Sequence, residues 1–254
     1  MSVRELFELT GQKAIVTGAG GGIGRELCRA LAEMGADVAL VDTNRENMEK
    51  VANDLRGYGR GIMICEIDVT KARDVENAAS QVLGRWGRID ILVNCAGVSQ
   101  LVPAEEMEEE EWDRVLDVNL KATFLWCKAV APSMIANRRG KIINIASMSG
   151  SIVNYPQPQC AYNASKAGVV MLTKSLAAEW AQYNINVNSI SPGYIATEMT
   201  KKVPQYHDEW KKLTPMKRLG EPSELKGAVV YLASEASRLM TGHDLIIDAG
   251  YTLW

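Results

Sequence analysis

Two histidines, His207 and His243, are all the imidazole this chain of 254 residues contains. A histidine-rich metal site or a Ser-His-Asp relay lacks its parts, and no metal is expected. Cysteines 28, 65, 95, 127 and 160 are odd in number, spread out and without a C-x-x-C pair. Neither a disulfide framework nor a zinc site is indicated, and a reducing cytoplasm fits. Strong charge of either sign is missing too. A net charge of −3 leaves no footprint for nucleic acid. The opening Met1-Ser2-Val3-Arg4-Glu5 lacks the apolar core of a signal peptide. Residues 142–165 carry no charge, but their Pro, Asn, Gln, Ser and Gly content argues against a membrane span. The six acidic residues from Glu105 to Glu111 open a periodic segment that ends near Arg138-Arg139. Complementarity to a helix dipole accounts for them better than a partner does.

Present instead is Tyr162-Asn163-Ala164-Ser165-Lys166, with Ser147 fifteen residues upstream. On a helix, positions four apart share a face, so an ammonium can stand beside a phenol. A free tyrosine, with a pKa of about 10, is a poor base at neutral pH. Lowering it to ~7 needs roughly 4 kcal/mol, and one close lysine together with a nearby cationic ring in a desolvated cleft is expected to supply it.

A second anchor lies near the N-terminus. The apolar run Lys13–Thr17 leads into Gly18-Ala19-Gly20-Gly21-Gly22-Ile23-Gly24, and a periodic segment with Leu27, Ala30, Leu31 and Met34 on one face follows. Strand, glycine turn and helix together let a pyrophosphate approach the backbone at a helix N-terminus. The spacing is G-x-x-x-G-x-G through Gly18, Gly22 and Gly24. Asp42 ends the next apolar strand, where a carboxylate can meet the hydroxyls of an adenosine ribose.

Strands are expected near 13–17, 37–42, 61–67, 90–94, 141–147, 185–191 and 244–248. Segments such as 71–86, 111–137, 159–181 and 222–234 show helical periodicity. The alternation predicts an α/β fold, a single Rossmann-like, doubly wound domain over 1–254 with a seven-stranded parallel sheet flanked by helices. Its ligands should gather at the carboxyl edge of that sheet.

Over nearly its whole length the sequence resembles the short-chain dehydrogenase/reductase family. The glycine loop matches at Thr17, Gly18, Gly22 and Gly24, with Ile23 inside it. Asp68-Val69 is similar to the pair that meets the adenine. Asn94-Cys95-Ala96-Gly97 is similar to Asn-Asn-Ala-Gly, Cys95 being the departure. Asn119 aligns with the asparagine of a catalytic tetrad completed by Ser147, Tyr162 and Lys166. Pro192-Gly193, Ile195 and Thr197 resemble the segment that holds the nicotinamide carboxamide. The resemblance implies a working oxidoreductase in which Tyr162 is the base and Ser147 orients the reacting oxygen. Lys166 then serves both the nicotinamide ribose and the phenolate, and Asn119 positions a water behind Lys166. It also implies a substrate lid around 195–217, where His207 and Trp210 stand, and a homotetramer assembled through the long helices. The apolar ending Tyr251-Thr252-Leu253-Trp254 is expected to pack near a second interface.

Asp42 favours NAD over NADP, although Arg45 lies near enough to reach a phosphate. Ser149, Asn154, Tyr155, Gln157 and Gln159 follow Ser147 as a dense set of neutral donors and acceptors. Such a wall pairs several hydroxyls, and Ser147, Ser149, Asn154, Gln157 and Tyr162 are the substrate candidates. The segments 147–154, 196–200 and 250–254 resemble polyol and sugar dehydrogenases of that family, those acting on galactitol foremost, with the sorbose and gluconate enzymes further off. The expected substrate is a polyol or its ketose. A 3-oxoacyl carrier-protein reductase shares the fold and tetrad but usually wants NADPH and a basic docking patch. A nicotinamide-sensing binding module would have no need of the proton-handling residues.

Overall fold

The computed structural model describes residues 2–253. Seven strands form one sheet: β1 Lys13–Thr17, β2 Asp37–Asp42, β3 Ile62–Glu66, β4 Ile91–Asn94, β5 Gly140–Ile145, β6 Ile185–Pro192 and β7 Asp244–Ile247. The helices in chain order are α1 Val3–Phe7, α2 Gly22–Glu33, α3 Arg45–Leu55, α4 Ala72–Trp86, α5 Glu109–Leu116, α6 Ala122–Asn137, α7 Cys160–Trp180, α8 Glu198–Lys201, α9 His207–Leu213 and α10 Lys226–Ala233.

All neighbouring strands pair in parallel, in the order β3-β2-β1-β4-β5-β6-β7. Both faces are covered, so the strands read as continuous apolar runs. Alternate side chains enter different cores. Ala14 and Val16 of β1 join Leu27, Leu31, Met48 and Val229 on the face of α2, α3 and α10. Ile15 joins Val75, Trp126, Val130 and Leu176 on the face of α4, α6 and α7. Connections diverge between β1 and β4, and that crevice is where open α/β sheets bind ligands.

Three segments differ from the sequence expectation by more than one residue. The segment 111–137 is two helices joined by a π-turn, Asp117–Lys121. A π-turn inserts one extra residue into the helical ladder, which periodicity does not register. Only Glu109, Glu110 and Glu111 occupy the first turn of α5; Glu105 and Glu106 lie in a separate 3-10 turn. The dipole explanation thus covers half of the acidic cluster. β5 stops at Ile145, and Ser147 lies just beyond it, capping the turn Met148–Gly150 by accepting a hydrogen bond from Ser149 N at 3.2 Å. The expected helix 222–234 starts as a 3-10 turn, Pro222–Leu225, and becomes α-helical at Lys226.

Candidate active site

At the crevice, Thr17 Oγ1 accepts from the backbone N–H groups of Cys95 and Ala96, at 3.0 and 3.1 Å. This ties the end of β1 to the loop after β4. Gly18 has φ +65°, and a Cβ there would stand 2.9 Å from Ala96 Cα. A Cβ on Gly24 would drive into the Gly18 carbonyl oxygen, and one on Gly22 would lie 3.2 Å from Thr197 Cγ2. Backbone thus excludes a side chain at Gly18 and Gly24, while one at Gly22 would have to push Thr197 aside. No side chain caps the N-terminus of α2, so its first N–H groups stay open to an anion. Asp42 closes the far end, its carboxylate accepting from Gly20 N and Asn44 N, both at 3.0 Å. A glycine cradle, an uncapped helix N-terminus and a terminal carboxylate fit a dinucleotide.

The remaining dinucleotide candidates lie along the same edge with different local duties. Asp68 accepts from Thr70 N and Oγ1, and the backbone bond chiefly holds its carboxyl below the usual range. Val69 is buried beside it. The Asn94 side chain turns into the sheet, donating to Asn144 Oδ1 at 2.9 Å and touching Cys127 Sγ at 3.4 Å. Thr197 is the N-cap of α8, and the Thr200 hydroxyl accepts from its N–H at 2.9 Å. Pro192 ends β6, Gly193 N donates to Ile247 O at 2.9 Å, and Ile195 bridges to Gly220.

Tyr162 and Lys166 share one face of α7, with the ammonium 5.7 Å from the centre of the phenol ring. Lys166 is buried, donates to Ile145 O at 2.8 Å, and faces Gly97, whose added Cβ would be 3.6 Å from Nζ. Burial pushes the Lys166 ammonium down to about 8. The π-turn carries Asn119 into the same place. Its Oδ1 accepts from Val98 N at 2.8 Å, while Nδ2 donates to Val98 O and Ser165 Oγ, both at 3.0 Å. The expected lowering of Tyr162 does not come from the chain alone. Burial raises the phenol, the Ser147 hydroxyl acts against that, and the Cys95 thiol adds to it.

The neutral wall after Ser147 is largely spent on itself. Ser147 Oγ donates to Ser149 Oγ at 3.0 Å. Asn154 Nδ2 and Gln157 Nε2 both donate to the Tyr194 hydroxyl, at 3.0 and 2.9 Å. Gln159 Nε2 donates to Asn154 Oδ1 at 2.9 Å, and Gln157 Nε2 donates to Gln159 Oε1 at 3.1 Å. Ser149, Asn154, Gln157 and Gln159 are all buried. Asn154 and Gln157, read from the sequence as grips for substrate hydroxyls, are here tied to protein groups. Tyr194 went unnoticed in the sequence. The available signal was its place directly after Pro192-Gly193. Cys95 was also undervalued: burial pushes its thiol up to about 12, and it is electrostatically coupled to Lys166 and Tyr162.

Among the described residues no group of three or more His, Cys, Asp and Glu side chains is placed to hold a metal. No described helix is long and apolar enough to cross a membrane.

A family model described as enoyl-(acyl carrier protein) reductase matches residues 18–252. A structure described as a short-chain type dehydrogenase/reductase from Mycobacterium marinum superposes with a TM-score of 0.97 at 43% identity, covering 99% of each chain. The chain belongs to the short-chain dehydrogenase/reductase family. Its relatives include a galactitol 2-dehydrogenase of Rhizobium johnstonii, 44% identical across 100% of both chains. A D-arabinitol 2-dehydrogenase (ribulose-forming) of Scheffersomyces stipitis is 43% identical across 98% of this chain and 96% of its own.

Proposed function

We propose that this chain is an NAD-dependent dehydrogenase that interconverts a secondary alcohol of a polyol and the matching ketose. The observation that carries the proposal is the buried Lys166 ammonium beside the Tyr162 ring, at the sheet edge that also bears the glycine cradle. In oxidation the Tyr162 oxygen accepts the proton of the substrate hydroxyl. Ser147 donates to that same substrate oxygen and keeps it pointed at the phenol. Lys166 favours the phenolate and would hold the nicotinamide ribose when the dinucleotide is bound. Asn119 pins the Val98 backbone and Ser165 around Lys166, and a water behind the ammonium remains part of the reading. When bound, the dinucleotide supplies the hydride acceptor and a cationic ring near the phenol. A positioned base is worth roughly 10²–10⁴-fold.

NAD, rather than NADP, is supported by Asp42 at the end of β2, whose carboxylate repels a 2′-phosphate. Arg45, the one side chain that argued for a phosphate, is drawn away by Glu49 at 2.9 Å and Glu66 at 3.7 Å. Catalytic efficiency with NAD should exceed that with NADP by about a hundredfold, since like charges in contact cost several kcal/mol. Asp42→Ala should narrow the gap roughly tenfold or more. Equal efficiencies in the unaltered enzyme would remove this role from Asp42.

A polyol substrate is supported by the galactitol and D-arabinitol enzymes at more than two-fifths identity over essentially full length. The five unpaired thiols suit a reducing cytoplasm. We also propose a homotetramer, supported by exposed Trp112, Phe124 and Met171 on α5, α6 and α7. Leu253, 76% exposed, supports a second contact through the tail; its neighbour Trp254 lies outside the described residues. Light scattering at micromolar concentration should give four chains, and a monomer would end the tetramer proposal.

A further inference from the structure

Gln157 has one polar atom left after its bonds to Tyr194 and Gln159, and that atom reaches across to a distant segment. Its Oε1 accepts from the indole N–H of Trp210, on α9, at 3.0 Å. Among the described residues this is the one hydrogen bond that ties the stretch 198–214 to a segment distant in sequence. The other bonds of that stretch stay within it or reach only its flanks: His207 Nε2 to Thr200 O, Thr214 Oγ1 to Trp210 O and Lys201 to Glu198 inside it, Thr200 Oγ1 to Ile195 O and Lys217 Nζ to Lys212 O at its ends. Trp210 is also the single buried residue of α9. Its ring lies flat on Tyr194, with centres 4.0 Å apart and planes within 7°. Tyr194 in turn meets Tyr251 edge-on at 5.3 Å.

We propose that Trp210 and Gln157 form the latch that holds residues 198–214 over the substrate pocket. Both are positioning residues that set substrate affinity without touching the reacting atoms. The physical case is one of leverage. The exposed side chains of α9 are charged and pair along their own helix, Lys211 with Asp208 and Lys212 with Glu209, so they add nothing that fixes the helix to the body. A buried indole supplies both large apolar contact and one polar handle. The handle's partner sits in the wall that begins at Ser147, so a closed segment and an ordered wall form one unit. Loss of the N–H leaves Gln157 Oε1 buried and unpaired, which favours the open segment.

The inference rests on the polyol reading above, and the test separates the two. Trp210→Phe keeps the stacked ring and removes the N–H; Gln157→Met keeps the length and removes the acceptor, together with the bonds of Nε2 to Tyr194 and Gln159. Each should raise KM for the polyol roughly tenfold, the equivalent of about 1.4 kcal/mol, with kcat and NAD affinity within about twofold. The double variant should be no worse than Gln157→Met alone, because the one bond that Trp210→Phe breaks is already lost there. Hydrogen exchange of the cofactor-free chain should speed up over 198–214 in Trp210→Phe and remain unchanged in the strands. Unchanged exchange there, or losses that multiply in the double variant, would overturn the latch. A wild type inert on every polyol, with faster exchange in Trp210→Phe, would sink the substrate reading and leave the latch standing.

Discussion

Replacing Tyr162 by phenylalanine is expected to cut turnover by roughly 10³–10⁴-fold, the upper part of the range for a positioned proton acceptor. Dinucleotide affinity should stay within about twofold. The ring keeps its place over α7 and beside Lys166, so the pocket loses one oxygen and little shape. The unaltered enzyme should oxidise faster as pH rises. Burial raises the phenol in the chain alone, so the protonated, inactive form persists through neutrality until the bound cofactor's positive charge opposes it. The rise with pH should vanish in Tyr162→Phe. Stopped-flow or steady-state rates across pH 6–10 would read both effects, and a variant retaining a tenth of the activity would remove Tyr162 from the proton transfer.

Lys166→Met is expected to pull activity and stability in opposite directions. Turnover should fall by about a hundredfold or more, and NAD should bind more weakly, because the ammonium serves the phenolate and the ribose together. The cofactor-free protein should nevertheless become more stable at neutral pH. Burial depresses Lys166 from 10.5 to about 8 in the folded chain, so between those values the unfolded chain binds the extra proton. Stability therefore rises with pH across that window, and the full penalty of a buried charge applies below it. The penalty is about 3 kcal/mol at 1.36 per unit. Leaving the Ile145 carbonyl without its donor returns about 1–2 of that. A melting temperature higher by roughly 4 °C at pH 7, with the gain shrinking toward pH 10, is the expected result. Calorimetry showing a loss at pH 7, or a gain that grows with pH, would contradict it.

Much of this was legible from residue order because parallel sheets announce themselves locally. The apolar runs at Lys13–Thr17 and Asp37–Asp42 gave their strands to the residue. Gly18, Gly22 and Gly24 could be read because backbone crowding bars other residues at Gly18 and Gly24 and Thr197 presses on Gly22. The i, i+4 spacing of Tyr162 and Lys166 needed only a helix to become a site. What stayed hidden depends on contacts distant in sequence. The π-turn at Asn119 shifts one hydrogen bond and leaves the apolar pattern unchanged. Asn154 and Gln157 look like free donors until Tyr194 and Trp210, some forty to fifty positions later, take up their amides. The shift of Tyr162 in the chain alone also depends on its surroundings: spacing shows the nearby ammonium but not the burial that raises the phenol before a cofactor binds.

The most direct measurement of the central claim is absorbance at 340 nm as the purified wild type meets NAD and a panel of four- to six-carbon polyols. Growth of the reduced cofactor is expected with at least one of them. It should be fastest where the reacting secondary alcohol has a hydroxyl on the adjacent carbon, and absent in Tyr162→Phe under the same conditions. No growth on any polyol in either direction, or equal growth in Tyr162→Phe, would contradict the assignment.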